Sequence, residues 1–377
     1  MTAPTMPHHV ETARTSDPLV ADPPAPPAPP ASTARTGGFV RRLANNLAAQ
    51  DLLISGYFAL MMVAVLRAKG PGRDESIHTV LIDIGCFAGG LLLTRGGILR
   101  HGSFANGLVY RLTLFLAVFL SYFQLRWILP AVSPQSVDAD LLALDLCVFG
   151  FEPSIAWDRY VTPHTTEWFA FFYFGYFFLV AAHVLPIMLV GKNKLRTAHF
   201  ALGIFMVFCT GHLLYMLVPG WGPYRHLAGQ FEHPLEGGLF WRLVRATVDA
   251  GGAQKDIFPS LHTATPTYFA IYSYIHRRVL PFRFTWPLMA FAATQIIIAT
   301  MFLRWHYLID ILAGLTVATT AGLVSHRIVI WESARRERRG VPDIFTSLDW
   351  HGISGRGGGQ GPKGEGDERG ASEEAAH

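Results

Sequence analysis

Two short stretches of this chain carry the residue types of acid–base and nucleophilic chemistry. They are Pro259-Ser260-Leu261-His262 and Arg304-Trp305-His306-Tyr307-Leu308-Ile309-Asp310, each at the mouth of an apolar segment. His306 and Asp310 are four residues apart, a spacing that on a helix puts them on one face, one turn from each other. A carboxylate so placed can hold the far N–H of the imidazole, fix its tautomer and raise the basicity of the near nitrogen. An oriented histidine facing a second histidine, with arginines nearby, is what histidine-mediated phosphoryl transfer needs. The nucleophile must be aimed, the leaving oxygen needs a proton, and the phosphoryl oxygens need cations.

The spacing alone is weak, because His-x-x-x-Asp arises by chance and membrane histidines often only bridge helices. His183 and His212 read as such bridges, and Asp83 as a packing hydrogen bond. A transporter would need a polar pathway through these three residues, yet the chain shows neither repeat symmetry nor paired broken helices. Candidate phosphate cations are Arg304, two residues from His306; Arg225, in a Gly/Pro-stiffened loop; and Lys255, Arg242 and Arg245, ahead of Pro259. The bland alternative for each is snorkelling to lipid headgroups. His262, His306 and Asp310 could in principle bind zinc. No carboxylate-rich cluster accompanies them, and the arginines favour an anion, so no metal and no cofactor is expected.

The elements that must position these residues are membrane helices. The chain of 377 residues is 51% hydrophobic and only 15% charged, against roughly 25% charged in a soluble domain. The apolar runs are each about 20 residues, the span of a bilayer core. They predict an all-α, polytopic transmembrane helical bundle of about eight segments, near 52–66, 77–94, 111–132, 168–190, 198–218, 261–276, 286–303 and 306–330. Basic residues flank these runs, so they report membrane orientation, not nucleic-acid binding. With the N-terminus inside, every inside connection is basic, and Arg67, Lys69 and Arg73 are the exception outside. Both motifs then fall at the outer face, an agreement between spacing and charge topology reached independently.

Residues 1–40 are expected to be a disordered Pro/Ala-rich cytoplasmic tail, 41–133 N-terminal transmembrane helices, 134–331 the catalytic core, and 332–377 a disordered basic then Gly-rich cytoplasmic tail. The long connections 133–167 and 219–258 suit short helices lying in the outer membrane interface. Cys86, Cys147 and Cys209 show no C-x-x-C spacing and suggest neither a disulfide framework nor a zinc site. The pattern is that of a multi-pass plasma (inner) membrane protein whose partners are membrane lipids.

At these residues the chain resembles the type 2 phosphatidic acid phosphatase superfamily, with its Pro-Ser-x-His and later His-x-x-x-Asp motifs. Phe258 to His262 and Ala299 to Asp310 look like its inositol phosphorylceramide synthase-like branch, and the resemblance extends over residues 140–325. It implies that His306 is the nucleophile forming a phosphohistidine, that Asp310 orients it, that His262 protonates the leaving alkoxide, and that Ser260 contacts a phosphoryl oxygen. The chain departs from the superfamily in three places. It contains no Arg-Pro, Leu261 replaces a glycine, and Ala299-Thr300 stands where a Ser-Arg pair usually supplies a phosphate-binding arginine. The cradle must then be rebuilt, with Arg304 and Arg225 the first candidates. The same machinery serves a hydrolase and a transferase, which differ in whether water or an alcohol resolves the intermediate. The branch implies phospho-headgroup transfer; the wider superfamily implies hydrolysis of phosphatidate-like or polyprenyl phosphates.

Overall fold

Helices that are apolar on every side persist only where protein or lipid covers them. The computed structural model describes residues 38–251 and 254–350, among which there are thirteen helices and no strand. The N-terminal half contains α1 (Phe39–Asn46), α2 (Ala49–Arg67), α3 (Arg73–Thr94), α4 (Phe104–Val132), α5 (Asp138–Phe149) and α6 (Pro153–Ala156). The remainder contains α7 (Pro163–Leu185), α8 (Lys194–Leu217), α9 (Pro223–His226), α10 (Leu239–Gly251), α11 (Leu261–Ile275), α12 (Phe282–Phe302) and α13 (Leu308–Arg338). Seven of these, α2, α3, α4, α7, α8, α12 and α13, are long and apolar enough to cross a membrane, and they match seven of the eight expected segments. The all-helical polytopic bundle is as expected.

The sixth expected segment is α11, with 15 residues. At about 1.5 Å per residue it falls short of a hydrocarbon core of about 30 Å. It needs no lipid-facing length, because α7, α8, α12 and α13 surround it. Two glycines let those neighbours approach. A Cβ on Gly314 of α13 would stand 2.6 Å from the Ser260 carbonyl oxygen, and one on Gly211 of α8 would stand 2.6 Å from Leu261 Cδ2. The bulk of Leu261 is thus accommodated by the missing side chain of Gly211.

At the end of the bundle away from the motifs, Arg95 pairs with the buried Asp51 at 3.1 Å, and Tyr110 donates to the same carboxylate at 2.7 Å. The region expected to begin a disordered tail at residue 332 is helical to Arg338 and then packs back onto the bundle. Arg95 and Arg111 donate to the carbonyls of Ile344 and Thr346, and Phe345 is buried. Of the expected tails 1–40 and 332–377, residues 1–37 and 351–377 lie outside the described residues, and α1 already begins at Phe39.

Candidate active site

The first motif opens α11. Ser260 caps the helix, its Oγ accepting from Thr263 N at 3.3 Å, so its hydroxyl is engaged in the fold. Its backbone N–H donates to the Asp310 carbonyl at 3.1 Å, which ties the first motif directly to the second. His262 then projects from the first turn of α11 against two tyrosines of α7. Tyr173 stacks on it at 4.3 Å and 12°, and Tyr176 lies at 4.3 Å while donating to Thr265 Oγ1 at 3.3 Å. The His262 Nε2 has no hydrogen-bond partner. A ring held by two tyrosines with a nitrogen left unpaired is suited to hand a proton across a fixed line.

The second motif begins as α12 ends. The Thr300 carbonyl accepts from Trp305 N at 2.9 Å and His306 N at 3.3 Å, and Arg304 sits at φ +66°. That left-handed residue reverses the chain. His306 and Asp310 do not share a helical face, because α13 starts only at Leu308. Asp310 instead caps the helix, its Oδ2 accepting from Tyr307 N at 3.0 Å while His306 Nδ1 lies at a long 3.4 Å. The two histidine rings are 6.4 Å apart, centre to centre, so one tetrahedral group can touch both.

Three further carboxylates, which motif reading did not single out, build this site. Asp145 on α5 accepts from Leu308 N at 2.7 Å and Ile309 N at 2.8 Å, satisfying the exposed end of α13. Asp138 accepts from Gly222 N at 2.8 Å and from Tyr307 Oη at 3.1 Å, joining the 219–222 loop to the second motif. Asp256, six residues before His262, is the charge that acts on His306. Its Oδ2 accepts from Tyr122 Oη of α4 at 3.1 Å. Burial pushes the Asp256 carboxyl above its usual range, with the Tyr122 hydrogen bond and His306 opposing. Burial lowers His306 to about 4, offset in part by Asp256 and the backbone of Ile257. A neutral imidazole is the nucleophilic form.

The expected cations fare differently from the histidines. Arg304 is 7% exposed; its Nη2 donates to Asp158 at 2.7 Å and to the His233 carbonyl, and it lies over the Phe231 ring at 3.8 Å, while its Nε has no hydrogen-bond partner. Asp158 is held below the usual carboxylate range despite its burial, by hydrogen bonds from His233 and the 232–233 backbone and by Arg304. Lys255 donates to the carbonyls of Ser133, Pro134 and Gln135, closing the C-terminal end of α4. Arg225 and Arg245 are exposed, lying over Trp221 at 3.6 Å and Trp241 at 6.0 Å. His183 stacks on Phe269 at 4.8 Å, His212 meets Tyr57 Oη at 3.3 Å, and Asp83 accepts from Gln124 at 3.0 Å; all three have packing partners.

A family model described as PAP2 superfamily matches residues 139–324, which takes in both motifs and α5 to α13 up to the middle of that last helix. No curated protein and no solved structure matches. The superfamily match supports phosphatase-type chemistry on membrane lipids.

Proposed function

We propose that a chain whose core matches the PAP2 superfamily transfers a phospho-headgroup between membrane lipids through a phosphohistidine on His306. The observation that carries this reading is the pairing of His262 and His306 at 6.4 Å, with the Ser260 N–Asp310 O bond holding the two motifs in register. His306 attacks phosphorus, and the bond to the leaving lipid oxygen breaks as His262 supplies its proton. An acceptor oxygen then gives its proton to His262 and attacks the intermediate, which returns His306. Transfer to an alcohol follows the inositol phosphorylceramide synthase-like motifs; transfer to water is the phosphatase outcome that the superfamily match supports. The charge pattern of the connections favours an active site on the outer face of the plasma membrane.

The test is incubation of purified protein with labelled lipid phosphates and phospholipids, with and without alcohol acceptors. A new phospholipid indicates a transferase, and free phosphate or free phospho-headgroup a hydrolase. His306→Ala should abolish the acid-labile covalent adduct. His262→Ala should lose turnover on lipid substrates while keeping more activity toward an aryl phosphate, whose leaving group needs no proton. An adduct trapped on His262 would reverse the two roles.

A further inference from the structure

The charge balance of the site is unusual for a phosphate-handling centre. Arg304 is paired with Asp158, Lys255 is spent on three carbonyls, and Arg225 and Arg245 stand exposed over tryptophans. Within electrostatic reach of His306 instead is Asp256, the residue before Ile257, whose backbone hydrogen-bonds His306; its Oδ2 takes the Tyr122 hydroxyl, and it forms no ion pair among the described residues. Asp256, His262 and Tyr122 lie deep but keep part of their surface accessible, whereas Tyr173, Tyr176 and His306 around them are buried. A half-buried carboxyl without a counter-ion is disfavoured in its ionised form until a cation pairs with it, and once ionised it repels a phosphate monoester dianion.

We infer that Asp256 is the receptor for an ammonium group on the donor headgroup, so that the donor is a zwitterionic phosphodiester lipid. This rests on the headgroup-transfer reading above. Such a donor brings one negative charge to the histidines and one positive charge to Asp256. Tyr173 is taken up in stacking on His262 and Tyr176 packs against the same ring, so the recognition is a carboxylate hydrogen bond more than an aromatic cage. A primary ammonium, with N–H groups to donate, therefore fits better than a quaternary one. In the first step the His306 nitrogen bonds to phosphorus and the oxygen of the diacylglycerol leaves with the proton from His262. The phospho-headgroup stays on His306, its ammonium on Asp256.

The experiment compares initial rates on phosphatidylethanolamine, phosphatidylcholine, phosphatidylglycerol, phosphatidylinositol and phosphatidate in mixed micelles, for the wild type and Asp256→Asn. The wild type should prefer phosphatidylethanolamine over the two lipids with uncharged headgroups. In Asp256→Asn the ratio of kcat/KM for phosphatidylethanolamine to that for phosphatidylglycerol should fall by roughly 10- to 100-fold, the worth of one charge-assisted hydrogen bond. An equal loss on every lipid would overturn the inference and make Asp256 a positioning residue for His306. A wild-type preference for phosphatidate or phosphatidylinositol would overturn it as well. Histidine adduct formation from an aryl phosphate separates the two layers: its presence without headgroup preference removes only the Asp256 assignment. Its absence from aryl phosphate and every lipid removes the phosphohistidine reading too.

Discussion

Gly314→Ala tests whether the two motifs act as one rigid unit. The added Cβ would stand 2.6 Å from the Ser260 carbonyl oxygen and 3.1 Å from Thr263 Cβ, where ordinary contact begins near 3.4 Å. The nearest obstacle is backbone, so α13 must withdraw by about 0.8 Å to restore ordinary contact. The Ser260 N–Asp310 O bond is already 3.1 Å, and such a withdrawal takes it past hydrogen-bonding range. Overpacking costs about 1–3 kcal/mol and the lost hydrogen bond about 1 kcal/mol, offset by up to about 1 kcal/mol from replacing a helical glycine. The larger consequence is kinetic. A shift near 1 Å between a nucleophile and its proton donor can cost on the order of 10²-fold, so turnover should fall roughly 10- to 100-fold in protein that still folds. Gly322→Ala is the control on the same helix: its Cβ meets the Ile271 side chain, Cγ2 at 2.7 Å, so it is also crowded, but against a side chain and not against the backbone of either motif. The assay is turnover and adduct formation at matched folded protein in detergent, with thermal unfolding alongside. Wild-type turnover in Gly314→Ala, or an equal loss in Gly322→Ala, would refute the argument that the Ser260–Asp310 contact sets the register of the two histidines.

Two other perturbations follow from the electrostatics. Arg304→Ala removes one partner of Asp158 and leaves those from His233 and the 232–233 backbone, so the loss is about 1.5–3 kcal/mol, the worth of a hydrogen bond to a charged group. Thermal stability should drop in the single variant and recover in large part in Arg304→Ala/Asp158→Asn; a double variant that is stable yet turns over about 10²-fold more slowly would return Arg304 to the phosphate cradle. The acid limb of kcat/KM should lie near pH 4 and not near the ordinary histidine value of 6.5, because burial lowers His306 to about 4. The sign is that of a depressed base: the native state takes up its proton later than the unfolded chain, so stability declines as pH falls through the window between these values. Asp256 opposes that depression, so Asp256→Asn should move the limb to lower pH, and an upward shift would contradict the assignment.

Much of this protein is written locally. Apolar runs of membrane length, basic flanks and the two histidine motifs are properties of neighbouring residues, and they were sufficient for an all-helical bundle with both motifs at one end. What local pattern could not supply is who holds whom across the chain. Arg304 lies two residues from His306, which suggested a shared anion, but its φ of +66° marks a chain reversal and its guanidinium pairs with Asp158, 146 positions earlier. Lys255 stands close to the first motif, yet it closes the end of a helix 120 to 122 residues before it. Asp145 and Asp138 read as ordinary acids of a connecting segment until tertiary folding sets them 163 and 169 positions away, against Leu308 N and Tyr307 Oη. The spacing of His306 and Asp310 was legible, while the relation between them was not. A four-residue interval implies a shared helical face only inside a helix, and the helix begins between them because the Thr300 carbonyl and the Asp145 carboxylate hold the turn that precedes it. Periodicity reports what each residue's nearest neighbours can do; the pairing of buried charges is decided by which distant group the folded backbone brings within hydrogen-bond range.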